Sequence, residues 1–267
     1  MPPPDVQAYF RETGAGPSVV CLHSSASSSG QWRPLADRLS SRFKVIAADL
    51  HGCGKSPAWP TGRPPMQLDD EFALLEPAFR AAGERFHLVG HSYGGAVALK
   101  AALELRERLL SLVLYEPVLF SVLMADAPRS PPAREIAAVR EDTTRLVEEA
   151  DLTASAQRFV DYWMGDGAWA ATPEARRPAL AAAMPSVIPE WHAAFHEPTP
   201  LKAFAAIEVP TLFLTGTRSK PSARAVARLL TATLPGVRVE ELESVGHMAP
   251  VTHPDLVNPL IERFLAR

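Results

Sequence analysis

Residues 85–108 read RFHLVGHSYGGAVALKAALELRER: a short apolar run, a serine between glycines, and a long helical pattern with no loop in between. A chain passes that abruptly from strand to helix only through a sharp turn. Gly90 and Gly94, two residues either side of Ser92, leave room for the strand and helix to pass each other. Such a turn exposes the serine hydroxyl above the start of a helix, where partial positive charge favours an oxyanion. A Gly/Ser-rich turn without chemistry has the same letters. The preceding strand, the following helix and the further small residue Gly95 argue against that reading.

The same strand-to-helix rhythm extends either way. SVVCLH (18–23), FKVIAADL (43–50) and LLSLVLY (109–115) are short apolar runs of the kind that strands buried on both faces show. Residues 7–12 alternate weakly and suit an edge strand. Helical spacing of Trp32, Leu35 and Leu39 lies between the first two runs, and 67–82 predicts a second helix, kinked or begun late around Pro77. This order implies a parallel sheet with helices on both faces. From Phe120 to Ala206 the rhythm stops: the patterns are helical, and three of the five tryptophans (Trp163, Trp169, Trp191) fall there. It resumes with VPTLFLT (209–215), a helix over 223–234, VRVEEL and a last helix over 254–266. We therefore expect an α/β core, 1–119 and 207–267, interrupted by a helical insertion at 120–206, a length that suits a small subdomain.

Composition narrows the partners. A net charge of −3 over 267 residues gives no reason to expect nucleic acid or an anionic membrane surface. No apolar run approaches the roughly 20 residues of a spanning helix, and MPPPDVQAYF has neither the basic start nor the apolar core of a signal peptide. Cys21 and Cys53 are too few for a disulfide scaffold, and two reduced, half-buried thiols in a cytoplasmic protein are expected. Cys and His show no metal spacing, no cofactor motif occurs, and nothing bears on oligomeric state.

A serine needs a base within hydrogen-bond reach. Of eight histidines, His23 and His51 end strands and read as loop braces, as does His253 before Pro254. His87 lies within a strand, His91 points away from the turn, and His192 and His196 belong to the insertion. His247, in the loop ESVGHMAP between the last strand and last helix, is the best candidate by position.

With these residues in hand, the chain resembles the α/β-hydrolase superfamily over nearly its whole length. VVCLHSSASSSGQW resembles the family's oxyanion loop, IAADLHGCGKS its Asp-x-x-Gly-x-Gly-x-Ser segment, GHSYGG its nucleophile elbow and VGHMAP its histidine loop. The resemblance implies a mostly parallel eight-stranded sheet with a helical cap inserted after the sixth strand. It implies Ser92 as nucleophile, His247 as base, and the backbone N–H groups of Ser25 and Tyr93 as oxyanion donors. Ser24 departs from the pattern, standing where the family usually has glycine.

A second departure concerns the acid. In most of the family it follows the seventh strand, about three residues after a glycine; counted from Gly216, that slot holds Ser219, and no acid occurs between Glu208 and Glu240. Some α/β-hydrolases, including a subgroup of haloalkane dehalogenases, carry the acid after the sixth strand instead. That precedent selects Glu116, in LYEP, over Asp49, which usually braces the following loop, over Glu243, and over the acids of the insertion.

Serine, histidine and an oxyanion hole imply acyl transfer on a small-molecule substrate without cofactor or metal. A carboxylic ester of small or medium size is expected, with lactones, thioesters and carbon–carbon cleavage of a diketone-type substrate using the same groups. A non-catalytic binder on the same fold is the alternative from another class. Candidate pocket residues are Phe120, Trp163, Trp169 and Trp191, among insertion aromatics that suit the insertion's own core equally well. Arg218 and Lys220 are placed to meet an anion, although solvation is their default.

Overall fold

The computed structural model describes residues 7–266. Seven strands form one sheet: β1 (Phe10–Thr13), β2 (Ser18–Leu22), β3 (Lys44–Ala48), β4 (Phe86–His91), β5 (Leu109–Tyr115), β6 (Thr211–Gly216) and β7 (Arg238–Leu242). Their spatial order is β1-β3-β2-β4-β5-β6-β7. Only β1 runs antiparallel, against β3; the other pairings are parallel. The described residues thus hold seven strands where eight were expected. The strand that the family resemblance numbers sixth is β5 here, and the seventh is β6.

Alternation along the strands divides the core in two. Val20, Leu22, Ile46, Ala48 and Leu88 face one side, packed with α2 (Leu68–Ala81) and α3 (Tyr93–Glu104). Val19, Cys21, Val45, Ala47 and Val89 face the other, with α1 (Arg33–Leu39) and the last helix, Pro254–Leu265. Both cysteines are free and fully buried, rather than half-buried, because Cys21 sits mid-strand and Cys53 lies beneath the insertion. α2 does not start late. The Asp70 carboxylate accepts from the Gln67 N–H at 2.9 Å, capping the helix at its first turn, and the helix continues through Pro77.

Between β5 and β6 the chain runs through five helices: α4 (Phe120–Asp126), α5 (Pro131–Glu148), α6 (Leu152–Met164), α7 (Ala168–Ala171) and α8 (Arg177–His196). They lie over the C-terminal ends of the strands, tied to the core by the Tyr162 hydroxyl, 2.7 Å from Ser222 Oγ on α9 (Pro221–Thr233), and by the Ser186 hydroxyl, which donates to the Gly52 carbonyl at 2.9 Å. A short α10 (Ala249–Thr252) precedes the last helix, α11. Among the described residues no helix is long and apolar enough to cross a membrane.

β4 hands over to α3 at Ser92, and the crossing is close. A Cβ on Gly94 would lie 2.4 Å from the His23 carbonyl oxygen and 2.5 Å from that of Leu22. A Cβ on Gly90 would lie 2.5 Å from the Gly94 carbonyl oxygen. These neighbours are backbone and cannot swing aside. We expect Gly94→Ala to destabilise the protein by about 1–3 kcal/mol or more in urea unfolding; an unchanged midpoint would mean that α3 can slide off β2 freely.

Candidate active site

Ser92 sits at φ 56°, ψ −118°, a conformation L-residues rarely adopt. Its N–H donates to the Tyr115 carbonyl at 3.0 Å, and its carbonyl accepts from Val118 at 3.1 Å. Glu116, the residue after β5, is also in the left-handed region, at φ 42°. Strain of this kind costs on the order of 1–3 kcal/mol per residue and persists only where surrounding contacts over-determine it.

The two strained residues meet at His247. The Glu116 carboxylate accepts from His247 Nδ1 at 2.8 Å, which leaves Nε2 to accept from the Ser92 hydroxyl, also at 2.8 Å. All three side chains are buried. The other Glu116 oxygen accepts from the Thr215 hydroxyl at 2.7 Å and the Gly216 N–H at 2.8 Å, both at the end of β6. Burial alone would raise the Glu116 carboxyl. The hydrogen bond and charge of His247, the nearby Ser219 hydroxyl and the Gly216 N–H outweigh it and hold the group below its ordinary value. Ser219 is buried in the family's usual acid slot, close to Glu116 but making no side-chain hydrogen bond.

The rival acids are engaged elsewhere. Asp49 accepts from the backbone N–H groups of Ser29 and Lys55, bracing two loops. Glu243 is exposed. Asp142 pairs with Arg158, and Asp151 and Asp161 accept backbone N–H groups within the insertion.

The histidine loop is held from beneath. Gln31 Nε2 donates to His91 Nδ1 at 3.1 Å, so His91 Nε2–H donates to the His247 carbonyl at 2.9 Å. The Tyr115 hydroxyl donates to the neighbouring Gly246 carbonyl at 2.8 Å. Gln31 Oε1 in turn accepts from both the N–H and the hydroxyl of Ser24, at 3.1 and 3.0 Å. The residue in the glycine position thus anchors its loop through its side chain. Ser25 and Tyr93 follow with backbone N–H groups that find no hydrogen-bond partner among the described residues.

Ser92 and His247 open onto a cavity of about 90 Å³. Phe159, Trp163, Met164, Leu180 and Trp191 supply its apolar wall from the insertion, with Val118 and Met248 from the core. The Trp163 ring stacks on the His247 imidazole, centroids 4.1 Å apart. Two expected pocket residues are not at the wall. Phe120 is buried behind it, packed on Trp163, Trp191 and Phe195. Trp169 packs under the Arg177 guanidinium on α7, away from the cavity. Arg218 and Lys220 line a neighbouring surface cleft instead.

Sequence reasoning missed Glu190. It lies on α8, is 1% exposed, and lines the cavity. Its signal was an acid sharing the buried helical face of Val187 and Ala194. Behind it is a second buried carboxyl, Glu71 on α2, which accepts from the His51 N–H at 3.2 Å. Burial, then the charge of Glu190, pushes Glu71 up to about 8. Burial also pushes Glu190 up to about 8, moderated by Ser25 and Cys53.

Residues 19–260 match the model of the alpha/beta hydrolase family, and the chain belongs to that family. It is 31% identical over 152 residues to a pimeloyl-[acyl-carrier protein] methyl ester esterase of Nitrosomonas europaea, covering 57% of this chain and 56% of that one. The chain thus spans about half the length of that relative. It is 27% identical to the 2-hydroxy-6-oxo-6-(2'-aminophenyl)hexa-2,4-dienoic acid hydrolase of Metapseudomonas resinovorans, covering 98% and 88%. A crystal structure of an alpha/beta hydrolase from Sphaerobacter thermophilus superposes with a TM-score of 0.72 at 26% identity, covering 97% and 96%.

A carboxyl whose pKa is raised by folding binds its proton more tightly in the folded state. Its contribution is fully present below the ordinary carboxylate range, near 4.5, and is lost as pH rises to about 8. Glu71→Gln stays neutral throughout. The melting temperature of wild type minus that of Glu71→Gln should therefore fall steadily between pH 5 and pH 8.5. A constant difference would show that Glu71 ionises normally in the fold.

Proposed function

We propose that the protein is a serine hydrolase of small, uncharged carboxylic esters, with 120–206 acting as a cap over a core formed by 1–119 and 207–267. The observation that carries this reading is the hydrogen-bonded row Ser92–His247–Glu116 at the floor of an apolar cavity. Ser92 attacks the ester carbonyl while His247 Nε2 takes its proton. The negative charge that develops on the carbonyl oxygen is received by the N–H groups of Ser25, on the loop after β2, and of Tyr93, at the start of α3. Collapse expels the alcohol, protonated by His247. Water, deprotonated by the same nitrogen, then cleaves the acyl-enzyme. Glu116 acts through His247, holding the Nδ1–H tautomer and stabilising the imidazolium.

Carbon–carbon cleavage of a dienoate, the substrate named for one relative, uses the same three side chains. Charge favours the ester. Among the described residues no Lys or Arg lines the cavity, and its one carboxyl is Glu190. A substrate carboxylate entering it would meet no counter-charge and lose its water.

Hydrolysis of short-chain p-nitrophenyl esters by folded wild type, Ser92→Ala and Glu116→Gln tests the reading. Ser92→Ala should fall to background, and Glu116→Gln should lose about 10³–10⁴ in kcat. Near-full activity in Glu116→Gln would remove the third member of the row. Absence of turnover in wild type, alongside ligand-induced rises in melting temperature, would point to a binder.

A further inference from the structure

The Glu190 carboxyl has a place in the cavity that the acyl-transfer steps do not use. Its Oε1 faces the Cys53 thiol, 3.7 Å from Sγ, a weak donor. Its Oε2 is buried and has no hydrogen-bond partner among the described residues. Unpartnered buried oxygens of this kind are rare in folded proteins, because a lost hydrogen bond to water is not replaced. α8 carries the group, so the position is set by a rigid element rather than by a loop. Ser24, Ser25, Ser92, Tyr93 and His247 also line the cavity, with the Ser25 side chain beside the carboxyl, and the rest of the wall is aromatic and aliphatic; a ligand that fills it without a polar group leaves Oε2 unmatched.

We propose that Glu190 is a specificity-determining residue that binds a hydroxyl group of the substrate, so that the preferred esters are hydroxy esters. This rests on the ester-hydrolase reading of the same cavity. The pairing follows from what a carboxyl in this setting offers. Burial pushes the Glu190 carboxyl up to about 8 against the moderating Ser25 and Cys53 side chains, so it keeps its proton at neutral pH. A protonated carboxyl presents one donor and one acceptor. A hydroxyl matches both. A substrate carboxylate meets the Glu71–Glu190 pair without a cation, and an alkyl group answers neither the donor nor the acceptor.

Two readouts separate this assignment from the reaction itself. The first is binding of ketones that cannot be hydrolysed, pentan-2-one against 4-hydroxy- and 5-hydroxypentan-2-one, followed by the fluorescence of Trp163 and Trp191, which line the cavity. The second is kcat/KM for methyl butanoate against methyl 2-hydroxy- and 3-hydroxybutanoate. Wild type should favour at least one hydroxylated member of each set by about tenfold. Glu190→Gln, which keeps a donor and an acceptor, should retain that ratio within about threefold. Glu190→Met and Glu190→Leu, checked for folding by thermal unfolding, should reduce it to near one. Equal binding and equal turnover of plain and hydroxylated ligands by wild type would overturn the proposal without recourse to any variant. So would a ratio that survives in Glu190→Met or Glu190→Leu. Tighter binding of the butylammonium ion than of butan-1-ol at pH 7 would overturn it in favour of a cation site. A hydroxyl preference in ketone binding with no ester turnover would sink the ester-hydrolase reading and leave Glu190 as the hydroxyl anchor.

Discussion

The site depends on one close backbone approach. The Gly94 N–H donates to the His23 carbonyl at 3.0 Å, which pins the first turn of α3 against the end of β2. With that contact made, Ser92 is forced into its left-handed conformation, and the loop after His23 lies beside the helix start. Ser25 and Tyr93 thereby line the same cavity. The Ser92 backbone then bonds Tyr115 and Val118 on either side of Glu116, so the end of β5 is fixed relative to the same turn. A glycine is required at 94 because any side chain would meet two carbonyl oxygens, and the rest of the geometry is downstream of that.

The acid's position changes which strand ends bear the constraint. Glu116 is rooted on β5, but its Oε1 is held by Thr215 and Gly216 of β6. The end of β6 thus supplies hydrogen-bond donors where most relatives in the superfamily are expected to supply the carboxylate, and Ser219 is small enough to leave the space to Glu116. His247 is constrained as tightly: Glu116 orients its ring, His91 and Tyr115 hold its backbone and the preceding carbonyl, and Trp163 covers its face. Through Gln31 the His91 bond continues to Ser24, so the loop after β2 and the loop that carries His247 share one chain of hydrogen bonds. Such a chain couples the positions of groups from three separate loops.

Much of this is legible in the amino-acid sequence. Strand, glycine-flanked serine and helix are local signals, and the close approach at Ser92 follows from letters adjacent in the chain. The α/β order was readable because buried parallel strands are continuous apolar runs. Glu116 became visible through an absence, the lack of any acid between Glu208 and Glu240. What stayed hidden was orientation. Phe120 and Trp169 are aromatic and belong to the insertion, yet helix rotation turns them into its packing and gives the wall to Phe159, Trp163 and Trp191. Glu190 was hidden because a single acid in a helix is read as solvated until a neighbour such as Glu71, 119 positions earlier in the chain, is brought up behind it. The brace through His91 and Gln31 joins residues 60 apart and has no sequence signature.

Three buried carboxyls in one small region end up in two opposite states, and the difference is a matter of donors. Glu116 receives hydrogen bonds from His247, Thr215 and Gly216, and stays ionised despite burial. Glu190 faces the weakly donating Cys53 thiol and the Ser25 side chain, and Glu71 accepts from the His51 N–H; burial wins at both, and each retains its proton well above the ordinary carboxylate range. The division suits the proposed chemistry. A negative charge on Glu116 stabilises the imidazolium that forms on His247, whereas a negative charge on Glu190, beside Ser25, would oppose the oxyanion that forms a short distance away. Neutrality at Glu190 lets a carboxyl line the cavity as a hydrogen-bonding group without repelling the charge that acyl transfer must develop there.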